Sequence, residues 1–169
     1  MSAIGQFPFE QAVWFFPACL TLHFLEEATS FAAWARRHLS PRYTDSHWRR
    51  VHVTGAVAGV LAAGMVSRWP SALSAFLFAA FFVAPMVFNA LFHLGGSLYF
   101  RSYSPGTASA ALLFPALCWR LVALACDAQL MDAVSTMGAM LIGAVVHCID
   151  LAATTFFVTA SGPGVPARD

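Results

Sequence analysis

Three groups of polar side chains interrupt apolar segments of this sequence, and their types and spacing could do chemistry. They are His23, Glu26 and Glu27 in HFLEE, Asn89 and His93 in NALFH, and His147 and Asp150 in HCID. Within each group the residues are spaced so that they share one face of a helix. An imidazole beside a carboxylate can hold a metal ion or move a proton. An ionisable side chain at membrane depth costs about 3 kcal/mol or more, so these residues are functional candidates.

The elements that must position these groups are predicted to be transmembrane helices. The chain has 169 residues, of which 59% are hydrophobic and 10% charged, whereas roughly 25% are charged in a soluble domain. One span needs about 20 apolar residues. We therefore predict an all-α polytopic membrane protein, a single domain over residues 1–169, with five spans at about 8–34, 51–69, 71–100, 107–125 and 133–159 and a flexible tail at 160–169. We expect no cleaved leader, and a net charge of +1 argues against a nucleic-acid partner.

The distribution of arginine predicts the orientation of these spans. Most arginines fall on one side of the predicted bundle, including those in the polar loop RRHLSPRYTDSHWRR, Arg36–Arg50. Because basic loops stay in the cytoplasm, we predict an outer N-terminus, with the Arg-rich loop and the C-terminus on the cytoplasmic side of a plasma or inner membrane. His38, His47 and His52 lie in or beside this loop and are assigned to the membrane interface.

The depth of the three polar groups predicts that they meet. Counted from the cytoplasmic ends of spans one, three and five at about 1.5 Å per residue, all three groups lie about 9 to 20 Å into the membrane. Helices with polar faces at one height can converge on one site. Proline should bend two of these helices, at Pro17 in span one and at Pro85 just before Asn89.

The first interpretation of this site is a metal centre. Helical bundles build di-iron and di-manganese sites from Glu and His side chains that face inward. The predicted ligands are His23, Glu26, Glu27, His93, His147 and Asp150. They would suffice for one Zn or Fe with an open position, or for two ions that share a bridging Glu. Asn89 would orient a ligand or the substrate. The implied function is a metal-dependent membrane enzyme that acts by hydrolysis or oxidation on a lipophilic small molecule, with His23, Glu26, Glu27, Asn89 and His93 as catalytic candidates.

Two other functions use the same residues. A buried Glu can donate a proton while a second Glu or His accepts one, which is the chemistry of a metal-free isomerase or cyclase of an isoprenoid or sterol-like lipid. Sterol isomerases of the emopamil-binding type are similar in these ingredients. The third alternative is a proton-coupled transporter or ion-binding membrane protein.

Two further features concern the binding of lipids and of partner helices. In the loop FRSYSPGTASA, the helix start after Tyr103 and Gly106, with Arg101 close by, is a candidate site for an anion or a lipid headgroup of the substrate. Gly55 and Gly59 form a GxxxG pattern, which predicts close helix packing. Such small-residue faces, in contact with membrane lipids, could also support a homo-oligomer.

The three motifs resemble those of a known family. HFLEE, NALFH and the turn YSPG (Tyr103–Gly106) are similar, in the same order, to the HxxEE, NxxxH and YxPG motifs of the HXXEE family of small integral membrane proteins. The resemblance spans most of the chain. It implies a membrane protein and supports the choice of site residues, but it adds little about the substrate. The HCID pair is outside that motif set.

Overall fold

The computed structural model describes residues 8–160, and it describes the side chains of residues 8–153. Every regular element in this part of the chain is helical, which confirms the all-α prediction. In chain order the helices are α1 (Phe9–Ala12), α2 (Phe15–Glu27), α3 (Phe31–His38), α4 (Asp45–Arg68), α5 (Ala72–Phe78), a π-helix (Ala79–Val83), α6 (Ala84–Tyr99), α7 (Thr107–Asp127) and α8 (Ala133–Ala160). Residues 161–169 of the predicted tail lie outside the described residues.

Among the described residues, four helical segments, not the predicted five, are long and apolar enough to cross a membrane. They are Asp45–Arg68, Ala72–Tyr99, Thr107–Asp127 and Ala133–Ala153. The prediction of a first span at about 8–34 is wrong, since this segment is divided into the three shorter helices α1, α2 and α3.

Local backbone chemistry explains the division of the first segment. The break between α1 and α2 falls at Val13 and Trp14, one turn before Pro17, which has no N–H to donate to the Val13 carbonyl. That carbonyl accepts from the Phe16 N–H at 3.1 Å instead. The second break follows Glu27, and Ser30 there leaves the helical conformation with a φ of −143°. The bend predicted at Pro17 is thus present as an interruption of the helix.

The disturbance predicted at Pro85 takes the form of the π-helix that directly precedes α6. The Val83 carbonyl, at the end of the π-helix, accepts from the Cys118 thiol of α7 at 3.2 Å. Helix α8 packs against the same turn, and a Cβ at Gly143 would lie 2.3 Å from the Ala84 Cβ. Small side chains on α8 are therefore necessary for this crossing.

The predicted GxxxG packing is confirmed, and it occurs within the chain. Cβ atoms at Gly55 and Gly59 of α4 would lie 3.7 and 3.3 Å from the rings of Phe24 and Phe16 on α2. The outward faces of the long helices carry large apolar side chains that are more than two-thirds exposed, among them Leu61, Leu112, Trp119 and Leu141. Such faces suit contact with lipid.

Candidate metal centre

The Glu27 carboxylate at the end of α2 is the centre of a buried polar cluster. Its Oε1 lies 3.0 Å from His93 Nε2 of α6 and 3.5 Å from His23 Nε2, one turn earlier on α2. All three side chains are at most 3% exposed. Two motifs that are more than 60 residues apart in the sequence therefore meet at one oxygen atom.

The second oxygen of Glu27 is bound by α4. Trp48 Nε1 donates to Glu27 Oε2 at 3.1 Å, and His52 Nε2 makes a short contact with the same atom. The Trp48 and His52 rings also stack. The ring of His52, a residue that the sequence assigned to the membrane interface, thus faces the cluster.

Each cluster histidine has a serine behind it. His23 Nδ1 lies 3.0 Å from Ser109 Oγ, and His93 Nδ1 lies 3.0 Å from Ser104 Oγ. The Ser109 hydroxyl itself donates to the Gly106 carbonyl at 3.2 Å, so its oxygen is left to accept the His23 Nδ1–H. This arrangement leaves a lone pair on His23 Nε2, which faces Glu27.

Asn89 supports the same tautomer of His23. Its Nδ2 lies 3.1 Å from His23 Nε2, and an amide nitrogen can only donate. His23 Nε2 is therefore the acceptor. The lone pair that receives this hydrogen bond is the one that a metal ion would use.

The donor set fits a metal ion. One nitrogen each from His23 and His93 and one oxygen from Glu27 lie within 4.8 Å of one another. Two imidazoles and a carboxylate are a usual ligand set for catalytic zinc and for non-haem iron, and both leave coordination positions open for a substrate. Among the described residues this is the one such group of three.

Glu26, the neighbour of Glu27, faces a different part of the molecule. Its carboxylate accepts from the backbone N–H groups of Gly106, Ala108 and Ser109 at 3.1, 3.2 and 2.8 Å, and from the Tyr103 hydroxyl. These N–H groups form the start of α7, where the helix dipole favours a negative charge. The helix start predicted to bind an anion does so, and the anion is a side chain of the same protein.

Tyr103 and Arg101 take different positions in this loop. Two effects raise the pKa of the Tyr103 phenol: partial burial, which is the larger, and the hydrogen bond to Glu26. Arg101 has a φ of +48° and an exposed side chain, and it is not among the residues that line the cavity described below.

Gly106 is the point where the two carboxylate sites touch. Its N–H binds Glu26, and its φ of +98° is one that other residues rarely adopt. A Cβ here would lie 2.7 Å from His23 Cε1, 2.8 Å from His93 Cε1 and 3.0 Å from Glu27 Cγ. The YSPG turn therefore closes over the histidine cluster and leaves no room for a side chain.

The cluster opens on a cavity of about 620 Å³ between α2, α4, α6 and α8. Five of the predicted site residues line it together with Glu27, namely His23, Asn89, His93, His147 and Asp150. Glu26 does not line it. His147 and Asp150 lie outside the three-residue metal group, so the structure places HCID beside the cluster and not in it.

Sequence reasoning missed four residues of the site: Trp48, His52, Ser104 and Ser109. Helix α4 begins at Asp45 rather than at the predicted residue 51, with the Thr44 hydroxyl accepting from the His47 N–H at 3.0 Å. The sequence TDSH, a capping threonine with an acidic first turn, was the signal that would have put Trp48 and His52 one turn apart on a helix. Ser104 is the serine of YSPG itself, and Ser109 follows the motif by three residues, in SYSPGTAS.

The fold and the site define a class of protein: an all-helical protein whose apolar helices indicate a membrane protein, with a buried His/Glu group beside a cavity. Residues 14–120 match the model of the family described as proteins of unknown function with an HXXEE motif. The chain belongs to this HXXEE family, as the resemblance of its motifs indicated. No curated protein and no solved structure matches it.

Proposed function

We propose that this protein is an integral membrane enzyme that depends on a metal ion held by His23, Glu27 and His93, and that it acts on a lipophilic substrate. The observation that carries the proposal is the buried group of two imidazole nitrogens and one carboxylate oxygen at the wall of a large cavity. Ligands that leave positions open are typical of catalytic metal sites.

The contacts behind the ligands support this proposal. Ser109 and Ser104 bind the Nδ1 atoms of the two histidines, and Trp48 and His52 bind the far oxygen of Glu27. Metal sites need such outer contacts to fix ligand orientation and tautomer. A bound Zn or Fe ion would supply Lewis-acid or redox chemistry. Asn89, within reach of His23, would orient the substrate, and His52 would exchange protons with Glu27.

The lining of the cavity favours a lipophilic substrate. Most of its wall is aromatic or aliphatic, with Phe16, Leu20, Phe24, Phe81, Phe82 and Met86 at one end. Its volume of about 620 Å³ lies within the usual range of small-molecule sites, roughly 300–1,000 Å³.

Elemental analysis of the purified full-length protein tests the metal. We expect about one Zn or Fe per chain in the wild type and a loss of this metal in His93→Gln, because an amide is a poor ligand. His38→Gln is the matched control, since His38 lies on α3 away from the cavity lining, and it should keep its metal. A wild-type protein that is catalytically active without stoichiometric metal would overturn the proposal.

One observation favours a metal-free alternative, an isomerase or cyclase that works by acid–base catalysis. The Glu27 carboxylate already has hydrogen-bonding partners on both oxygens, His93 on one and Trp48 with His52 on the other. A carboxylate held in this way can pass a proton to or from a substrate in the cavity. Activity that survives complete metal removal and is lost in Glu27→Gln would identify this mechanism.

For the membrane orientation we propose the N-out, C-in topology in a plasma or inner membrane, supported by the clustering of arginine in the loop before α4 and in its first turns. A reporter fused after Asp169 should be cytoplasmic, and one inserted between Asp127 and Asp132 should be external. The reverse labelling would place the polar cluster in the opposite half of the membrane.

A further inference from the structure

The cavity beside the cluster has two chemically different ends. One end is apolar and is formed by phenylalanine, leucine and methionine side chains of α2, the π-helix and α6. The other end, toward the loop between α3 and α4, carries the polar side chains of Tyr43, His47, Arg50, His147 and Asp150 among apolar ones such as Phe31 and Phe92. The proposed metal ligands line the same cavity and follow its apolar residues along α2 and α6. A molecule that filled the cavity would therefore need one apolar and one polar part.

The polar end contains hydrogen-bonding groups that are not satisfied within the protein. His47 Nε2 and His147 Nε2 are both shielded from solvent, and neither has a hydrogen-bond partner among the described residues. A buried polar atom left without a partner costs about 1–3 kcal/mol. Both rings line the cavity, and a ligand with acceptor oxygens in this end would reach either nitrogen after a rotation of its ring.

Arginine determines the sign of charge that this end would favour. The exposed Arg50 side chain lines the cavity, and its Nη2 donates to the Ser46 hydroxyl of the same helix at 3.2 Å. A guanidinium group binds carboxylate and phosphate oxygens in pairs. Asp150 brings one negative charge to the same end. Arg50 offsets that charge, and each imidazole adds a donor in the tautomer that is protonated at Nε2.

We propose that this end of the cavity binds the anionic head group, a phosphate or a carboxylate, of an amphipathic substrate whose hydrocarbon chain occupies the apolar end. The inference rests on the proposed function for the reaction, but the binding itself requires no metal. His47 and His52 are five positions apart on α4, or about 7.5 Å along the helix. The reacting bond of the substrate would thus lie close to its head group.

Binding of simple amphiphiles tests the proposal. The probes are tritium-labelled dodecyl phosphate, dodecanoate and the neutral dodecanol, measured with the full chain in phosphatidylcholine nanodiscs at pH 8 in the presence of a chelator. We expect at least one anionic probe to bind 10-fold or more tightly than dodecanol. The ratio of the two anionic affinities then identifies the head group as a phosphate or a carboxylate.

Neighbouring residues provide matched variants. Arg50→Gln should weaken binding of the preferred anionic probe about 10-fold and leave dodecanol binding unchanged. Arg49→Gln, at an exposed position outside the cavity lining, should change neither affinity by more than 2-fold.

The histidines of the cavity are tested in the same way. His147→Gln should weaken binding of the anionic probe, and the control His38→Gln should not. Asp150→Asn should act in the opposite direction and tighten anion binding, because it removes the repelling charge.

Two results would overturn the proposal: equal affinities for dodecanol and both anionic probes, or equal losses in Arg49→Gln and Arg50→Gln. Neither result bears on the metal, which elemental analysis measures separately. If the protein contains metal but shows no preference for anions, the proposed metal-dependent enzyme stands and the anionic substrate class is refuted. If the protein is metal-free but prefers anions, the anionic substrate class stands and the metal-dependent enzyme is refuted.

Discussion

Glu26 and Glu27 are adjacent in the chain and chemically identical, yet they belong to two different regions of the molecule. Glu27 is buried among His23, His93 and His52, whereas Glu26 is half-buried at the start of α7, where it accepts backbone N–H groups. Successive residues on a helix point about 100° apart, and here the two carboxylates enter separate sites. The comparison shows that two neighbouring carboxylates can have separate functions, one holding a helix in place and the other available for chemistry.

The residues of the three family motifs are likewise shared between the region around Glu27 and the region around Glu26. The histidine and second glutamate of HFLEE meet the histidine of NALFH at the candidate metal centre. The first glutamate meets the tyrosine and glycine of YSPG at the start of α7. The second region positions the first, because the turn that Glu26 binds also carries Ser104 and precedes Ser109, the two serines behind the histidines.

The largest effect is expected from Gly106→Ala, which disturbs both regions. The positive φ costs a non-glycine residue about 1–2 kcal/mol, and a Cβ would push against both cluster histidines at a further cost of about 1–3 kcal/mol. We expect a lower Tm and a loss of bound metal, measured by thermal melting and elemental analysis. Gly95→Ala is the control, since a Cβ there has no atom within 4 Å. Equal melting of the two variants would contradict this account of the turn.

Exchanging each glutamate separately tests the comparison directly. Glu27→Gln should lower metal affinity at least about 10-fold, because it replaces a charged ligand with an amide. Glu26→Gln should keep metal affinity within about 3-fold and reduce stability by about 0.5–2 kcal/mol, as expected for a carboxylate at a helix start. Competition with a metal-binding dye and thermal melting measure the two effects. The opposite order would mean that Glu26 is the ligand.

Ser109→Ala compares the two regions at a single residue, because Ser109 contacts both of them. The backbone N–H of Ser109 serves Glu26 at 2.8 Å, while its hydroxyl serves His23 at 3.0 Å. The alanine variant keeps the first contact and removes the second. We expect metal affinity to fall about 10-fold, as for other outer-shell partners of metal ligands, with little change in Tm. A large loss of stability at unchanged metal affinity would instead assign the hydroxyl a structural role.

The smallest effect is expected from Tyr103→Phe, which removes one hydrogen bond from Glu26. The loss of stability should be about 1 kcal/mol, with metal affinity unchanged. Because the pKa of the Tyr103 phenol is raised in the folded protein, its contribution is complete below the unfolded pKa of about 10 and disappears as the pH rises through the folded value. The Tm difference between the two proteins should therefore be constant near neutral pH and shrink in strong alkali.

Several features followed from the sequence because they depend on local chemistry. Apolar runs of sufficient length gave the long helices, and the three-to-four-residue spacing of His, Glu and Asn put each group on one helix face. Pro17 and Pro85 marked places where the backbone pattern changes, since a missing N–H acts within one turn. The five-span count was wrong for a related reason, because hydropathy over residues 8–34 does not report the helix breaks near Val13 and Ser30.

Tertiary structure alone decided which polar residues meet. The sequence determined that HFLEE and NALFH lie on helices and that YSPG forms a turn, but nothing local distinguishes Glu26 from Glu27 or assigns His52 to the cluster. These choices depend on how α4, α6 and α7 pack around α2. That packing follows from the fit of bare backbone at Gly59 against Phe16 and at Gly106 against two histidines. Packing is a property of surfaces from distant parts of the chain, so the site could be outlined from the sequence and completed only in three dimensions.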